Sequence, residues 1–545
     1  MRRNHKIGDM HFRESILLAL VMMSVANADD SPDDQPLSIE GAIIGEIVLD
    51  KSDVFDLSNP KENKSIFRLA NRWHIITKDK VIRRQLLFKS GDAYSQRLVD
   101  ESGRILRKNR YLYDASIKPL RVKDGIVDVS VATRDVWSLG PDFSYSRSGG
   151  ENRSGIGIED TNLLGRGQTL RVKYEDNVDR SSTSVAFFDR NFGDSWVSTS
   201  LSIADNSDGR SNWLSVIRPF YALDSRWTAG GSGLDDERRT TLYELGDEAA
   251  EYQHERGYFT AFGGWSKGLQ GGFARRWTVG MVHDDNQFSE VSNPSLPLAL
   301  PEDRKLVYPF ARFSLVQDSF EISENRDQIG RTEDILMGTT LSAMLGWSDE
   351  SFGADRDALI YSTTFSRGLG SLAGRSLILG ATASGRVESG EFKNSLIGLS
   401  ARYYLTQSDK RLFFATLHAT VGDELDLDNP VQLGGDNGIR GYPQRYQNGE
   451  SKAVLTVEQR FFTDWYPFRL ARVGMAVFAD AGRVWGQNPI GGEPLGWLTD
   501  VGFGLRLAPT RSSARKMIHI DIAFPLDGDD SIDSVQILVE SKRSF

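Results

Sequence analysis

Apolar and polar residues alternate one for one through a series of short segments in the C-terminal part of the chain. Over residues 453–461, Leu455, Val457 and Phe461 fall on one side and Thr456, Glu458 and Arg460 on the other. Over 473–482, Met475, Val477 and Ala479 oppose Phe478 and Asp480; over 501–507, Phe503, Leu505 and Leu507 oppose Gly502, Gly504 and Arg506. Over 517–523, Ile518, Ile520 and Ile522 oppose His519 and Asp521, and over 535–540 Val535, Ile537 and Val539 oppose Gln536 and Glu540. A period of two predicts strands with one apolar face each. The same pattern recurs upstream from Val136, in residues 169–174 and in further segments between Trp196 and Val421, while helical signals nearly vanish. About 405 residues spread over 16 strands leave roughly 25 per strand with its connection, compatible with spanning strands of roughly 9–11 residues. The segments before Gly441 number about fourteen, against the roughly eleven that a 16-strand barrel of this kind requires, so some are halves of one strand or loop hairpins. Alternation alone fits either a soluble sandwich, whose charged faces look out to water, or a membrane barrel, which turns its apolar faces out to lipid and encloses the ionic ones.

Residues 39–135 read differently. A strand at 43–49 precedes helical segments at 66–75 and 80–88; Gly91 and Asp92 break the chain, Ser95 is placed to cap a helix carrying Leu98, Val99, Ile105 and Leu106, and strands at 115–122 and 126–131 flank the Asp124–Gly125 hairpin signal. This small α/β unit has the order strand, helix, helix, strand, strand. Ahead of it, residues 29–38 are an acidic, proline-bearing leader. Residues 1–28 have Arg2, Arg3, Lys6 and Arg13, an apolar run of about ten residues and the small-x-small site Ala26–Asn27–Ala28, a secretory signal with cleavage after Ala28.

Composition narrows the class. Charged residues are 26%, hydrophobic residues 39% and mean hydropathy is −0.37, which excludes a bundle of membrane helices. Removing Arg2, Arg3, Lys6 and Arg13 together with Asp9 and Glu14 takes the formal charge from −10 to about −12, so nucleic acid is not an expected partner. The absence of cysteine excludes disulfides, thiolate metal sites and cysteine nucleophiles. The acidic run 423–429 has oxygens for a hard cation but not the EF-hand spacing, and reads as solvated loop charge. Gly368, Gly370 and Gly374 miss the dinucleotide fingerprint by one residue, the seven histidines lack metal-ligand spacing, and no Gly-x-Ser-x-Gly elbow occurs. No enzyme activity, metal or cofactor is expected.

Four motifs carry a resemblance. The loop Ile439–Arg440–Gly441–Tyr442 resembles the Val/Ile-Arg-Gly-Tyr/Phe signature of the POTRA and β-barrel outer-membrane superfamily, the bacterial surface antigen family of BamA/TamA-like assembly factors and two-partner secretion translocators. The run from Phe478 through Asp480 to Gly482 resembles its Phe-x-Asp-x-Gly strand; Gly502, Gly504 and Arg506 match the strand after it; and residues 160–167 resemble the turn after its first strand. Residues 91–95, 104–106 and 111–117 resemble a POTRA domain, though residues 51–65 make a longer and more polar connection than that module carries. A terminal aromatic, Phe545, resembles the outer-membrane recognition signal. The resemblance implies a mainly β protein: one periplasmic POTRA domain at 39–135, then a 16-stranded antiparallel transmembrane β-barrel at 136–545 in the bacterial outer membrane. It also implies that the loop at 434–450 folds into the lumen, where Arg440 meets Asp480 and Glu458, a pairing suited to a planar guanidinium that keeps its proton. The implied function is an insertase or translocase for unfolded outer-membrane or secreted polypeptides, with lipid and periplasmic accessory proteins as further partners and a seam between residues 155–164 and 535–545. A passive channel with a docking domain and a two-partner secretion translocator are the alternatives.

Overall fold

The computed structural model describes residues 39–291, 300–488, 492, 495–513, 515–529 and 532–542. The expected signal peptide, the leader and Phe545 lie outside the described residues.

The N-terminal unit is a three-stranded sheet with helices on it. Strand β1 (Ile43–Ser52) pairs in parallel with β3 (Ile126–Asp135), which pairs antiparallel with β2 (Leu112–Lys123). Asp124 and Gly125 take positive φ (52° and 75°), closing the tight hairpin between β2 and β3. Three helices, α1 (Ser65–Trp73), the short α2 (Asp79–Arg83) and α3 (Gln96–Arg107), lie between β1 and β2, where the sequence shows its three helical segments. Ser95 stands at the N-cap of α3 without a side-chain capping bond. Val99 and Leu106 of α3, Val81 and Ile82 of α2, and Val127, Val129 and Val131 of β3 close the core.

The rest of the described chain forms a closed antiparallel barrel of 20 strands, from Leu139–Ser148 to Gln536–Lys542. The expectation of 16 is corrected. The extra strands are real partners in the ladder, not halves or loop hairpins, and the alternating segments between Trp196 and Val421 supply them. Among the described strands after the N-terminal unit, only the short hairpins Phe320–Ser323 with Glu333–Leu336 and Val431–Leu433 with Gln447–Gly449 stand outside the wall. The seam also moves. The first strand is Leu139–Ser148, and residues 155–160 lie in the second.

Side-chain orientation follows the inverted rule. Met475, Val477, Val501, Phe503, Leu505 and Ile518 are exposed on the outer wall, whereas Glu458, Arg460, Asp480, Arg506, His519 and Asp521 are buried within. Trp227, Trp265, Trp277 and Phe313 stand in register on four neighbouring strands near the end of the barrel that faces the α/β domain. Such an aromatic row marks a membrane–water interface. No described helix is long and apolar enough to cross a membrane.

The α/β domain lies across this near end of the barrel. The arginines of α3 run along its mouth: Arg97 pairs with Asp224, Arg104 with Asp318 (3.6 Å) and Arg107 with Asp334 (2.6 Å). Just after α2, Arg84 meets Asp194 at 3.1 Å, and Arg511, in the turn between the wall strands Leu498–Pro509 and Met517–Pro525, reaches Glu62 (2.5 Å) and the Val54 carbonyl (2.7 Å). The insertion at 318–339, between two wall strands, turns inward at the same end, with Ile329 and Met337 packed among Tyr404, Phe414, Phe462 and Met517. Within it Glu333 accepts the backbone N–H groups of Arg326, Asp327 and Gln328 (3.0, 2.9 and 3.2 Å). Burial, reinforced by the Asp327 carboxylate, pushes its carboxyl up from 4.5 to about 7.

A carboxyl with a raised folded pKa stabilises the inward-turned insertion when protonated. That contribution is complete below about pH 4.5 and is lost as pH rises through about 7. Protease cleavage within 318–339 of the detergent-solubilised protein, normalised to an unfolded substrate, should therefore quicken between about pH 5 and pH 8, and Glu333→Gln should flatten that change. Equal normalised rates across the range would contradict the assignment.

Candidate functional site

The loop between the wall strands Arg411–Asp423 and Ser451–Phe462 carries Arg440 into the barrel. Arg440 donates through Nε and one terminal nitrogen to both oxygens of Asp480 (2.7 and 3.0 Å), and through the other to Glu458 (2.9 Å). Its guanidinium lies 3.3 Å from the centroid of the Phe478 ring, adding a cation–π contact on its face. These residues meet because Glu458 and Asp480 sit on adjacent strands, Ser451–Phe462 and Ala471–Trp485, with inward-pointing side chains.

The surroundings explain the local sequence. The Gly441 N–H donates to Asp500 (2.9 Å), and a Cβ at Gly441 would come within 2.7 Å of the Asp500 side chain, so the loop approaches the wall closely there. At Gly502 a Cβ would strike the Phe478 ring, and at Gly504 it would strike the Asp521 carboxylate. The two glycines leave room for the bulky neighbours that hold Arg440 and Arg506. Ile439 and Tyr442 are fully buried, packed with Leu433, Val454, Val484 and Leu498, and the Tyr442 hydroxyl donates to the Thr499 carbonyl (2.8 Å).

A second tier lies next to the first. Arg460 donates to Glu458 (2.8 Å) and to the Arg326 carbonyl (2.9 Å) and stacks over Phe414, while Arg506 pairs with Asp521 at 2.5 Å. Arg440 stands 3.9 Å from Asp521. Cations and carboxylates thus alternate across the interior, each neutralising the next where water is scarce. The ionic side chains enclosed by the wall, Glu458, Arg460, Asp480, Arg506, His519 and Asp521, do not line an open lumen. All six are at most 5% exposed, because the loop and the 318–339 insertion fill the space between the walls.

The sequence reading missed the loop's other fastenings. Asp426 and Asp428 of the acidic run are bound by wall arginines: Arg386 to Asp426 at 2.6 and 2.8 Å, Arg304 to Asp428 at 3.1 and 2.8 Å. They are neither solvated nor grouped for a cation, and no described cluster of His, Asp or Glu is arranged to hold a metal ion. Isolated arginines on distant strands gave no local signal for this pairing. Further along, Arg445 forms a bidentate pair with Asp179 (2.7 Å each), and Tyr446 donates to Asp529 (2.6 Å). The Ser148 hydroxyl donates to the Gly435 carbonyl (2.8 Å), and the Gln444 side chain to the Ser148 carbonyl (2.9 Å). The loop therefore touches the end of the first strand and, through Tyr446, the connection that leads into the last.

Residues 356–537 match the Omp85 superfamily domain, a stretch that includes the whole loop, Glu458, Asp480, Asp500 and Arg506. The family resemblance read from the sequence is borne out over this part of the chain, which carries an Omp85 superfamily domain. Among solved structures, BamA from Haemophilus ducreyi lacking POTRA domains 1–3 is similar at 13% identity, over 91% of this chain and 84% of that one, with a TM-score of 0.39. CdiB from Acinetobacter baumannii is similar at 14% identity (92% and 73% covered, TM-score 0.45), and CdiB from Escherichia coli at 13% (91% and 75%, TM-score 0.46). No curated protein matches the chain.

Arg440→Ala would leave two buried carboxylates without their shared cation, at a cost of about 3–5 kcal/mol. In folded barrels of this variant, protease should cut within residues 424–450 that resist it in the parent. Arg440→Lys, a point charge that cannot bridge both carboxylates, should be intermediate. Equal resistance in the alanine variant would remove Arg440 from the anchor.

Proposed function

We propose that the protein is an outer-membrane insertase or translocase for unfolded polypeptides, with its α/β domain acting as a POTRA domain in the periplasm. The observation that carries this reading is the seam. Among the described residues the first and last strands share one register pair, Arg147 with Val539, whereas the last two strands form a continuous ladder from Met517–Lys542 to Ala523–Gln536. Unsatisfied backbone at such an edge recruits another strand, and a client can supply one without any demand on its sequence.

The domain's role follows from its position. Seated across the mouth on the periplasmic side, it would meet a client before the barrel does, and the outer edge of β2 beyond Ala115, where β3 pairs only on the other side, offers backbone groups for pairing. Clients are nascent outer-membrane or secreted chains, with outer-membrane lipid as the receiving phase and periplasmic accessory proteins as further partners. No bound cofactor and no catalytic step enter this reading; client folding supplies the energy. A passive channel fits less well, because the domain, the insertion and the loop all stand in the path of a solute.

The test is to lock the seam. Cysteines at Arg147 and Val539, in a chain that has none of its own, face each other across the first and last strands. The oxidised Arg147→Cys/Val539→Cys protein should fail to insert client barrels in reconstituted membranes and recover on reduction. The register pair Leu455→Cys/Ala481→Cys, elsewhere in the wall, should be indifferent to redox state. Full activity of the locked protein would overturn the reading.

A further inference from the structure

Helix α1 presents an apolar face that none of the described residues covers. Ile66, Leu69 and Trp73 are 66%, 45% and 70% exposed, and Ile75 just beyond the helix is 51% exposed. At 100° per residue the three helical positions fall within an arc of about 60°. The opposite side is the one that holds the helix to its domain: Phe67 stacks on Phe55 (4.2 Å between centroids), and the Asn71 side chain both accepts from and donates to the Phe55 backbone. The exposed arc is therefore not a core face left open by a missing partner within the domain.

Its place in the fold says what meets it. On one side of α1, Lys78 donates to the Gly165 carbonyl (3.0 Å) and Asn162 to the Thr77 hydroxyl (2.9 Å), which ties the segment to the turn after the second wall strand. On the other side, Glu62 and Val54 are held by Arg511, in the turn that precedes the strand Met517–Pro525. Those two turns flank the first and last strands, so α1 lies beneath the seam at the rim of the barrel. The neighbouring turns expose apolar side chains of their own, Leu164 at 51%, Trp465 at 61% and Phe468 at 80%. This apolar patch continues the lipid-facing wall downward onto the helix. Arg72 is exposed about 60° around the helix from Leu69, at the edge of this arc, a cation placed to meet phosphate headgroups.

We propose that α1 is an in-plane membrane anchor: Ile66, Leu69 and Trp73 rest in the phospholipid leaflet on the domain's side, below the seam, while Arg72 at the edge of the arc meets anionic headgroups. The proposal rests on the reading of the barrel as a membrane protein, and its partner is the lipid surface, neither a second copy nor another protein. Tryptophan suits the position, since its amphipathic ring favours the headgroup level.

The absence of native cysteine allows single nitroxide labels at Ile66→Cys, Leu69→Cys and Trp73→Cys, all at exposed positions where folding is not at stake. The full mature protein is placed one barrel per nanodisc, in phosphatidylethanolamine and phosphatidylglycerol in equal parts. Val477→Cys on the outer wall serves as the lipid reference, and Lys123→Cys at the tip of the domain hairpin as the water reference. Collision with oxygen exceeding collision with a nickel chelate at all three helix positions, as at Val477, is the expected result. Chelate-dominated collision at the helix positions with oxygen-dominated collision at Val477 would overturn the anchor and leave the barrel reading intact. Chelate-dominated collision at Val477 as well would overturn both.

Discussion

One cation in a space with little water organises the interior. Arg440 is carried into the barrel by a loop, and the loop stays because its guanidinium is satisfied on its edges by Glu458 and Asp480 and on its face by Phe478. A buried ion pair contributes little stability compared with well-packed apolar side chains, yet breaking one side of it is costly. Such a constellation therefore holds a loop in one place more than it strengthens the wall. The glycines at 502 and 504, the aromatic at 478 and the paired Arg506 and Asp521 all serve this geometry.

The interior also joins parts distant in sequence. Glu458 receives Arg440 from the loop above and Arg460 from its own strand, and Arg460 reaches the carbonyl of Arg326 in the insertion below. That insertion contacts the α/β domain through Asp334 and Arg107 and through the Gly330 carbonyl and the Tyr113 hydroxyl. A continuous set of polar contacts thus runs from the domain to the loop at the far end. Displacement of the domain would be felt first at the insertion and next at Arg460.

What the sequence made legible was whatever is local or periodic. Alternation in residues 453–540 gave the strand faces, Asp124–Gly125 gave the hairpin, and the short motifs around Arg440, Phe478 and Gly502 gave the neighbours that meet in the wall. The strand count was not legible. A count tied to a family pattern displaced the better evidence of the segments themselves, which already exceeded it. The seam was displaced for a related reason: Leu139–Ser148 contains Gly140, Pro141 and several serines, so its apolar alternation is faint. The dry interior was equally hidden, because filling it depends on where residues 318–339 and 424–450 go after the wall has closed. The clasp of Asp426 and Asp428 by Arg386 and Arg304 joins residues up to 124 positions apart, and nothing in the linear pattern marks such a pair.

The loop's outer fastenings have a mechanical consequence. Where the first and last strands barely hold each other, the same loop grips Ser148 beside one of them and, through Tyr446, Asp529 beside the other. It works as the buckle of a belt whose two ends hardly overlap. Hoop tension in the cylinder passes through that clasp at the gap and through backbone ladders everywhere else. Loosening the clasp would let the circumference grow at one line only, leaving the remainder of the ring laced.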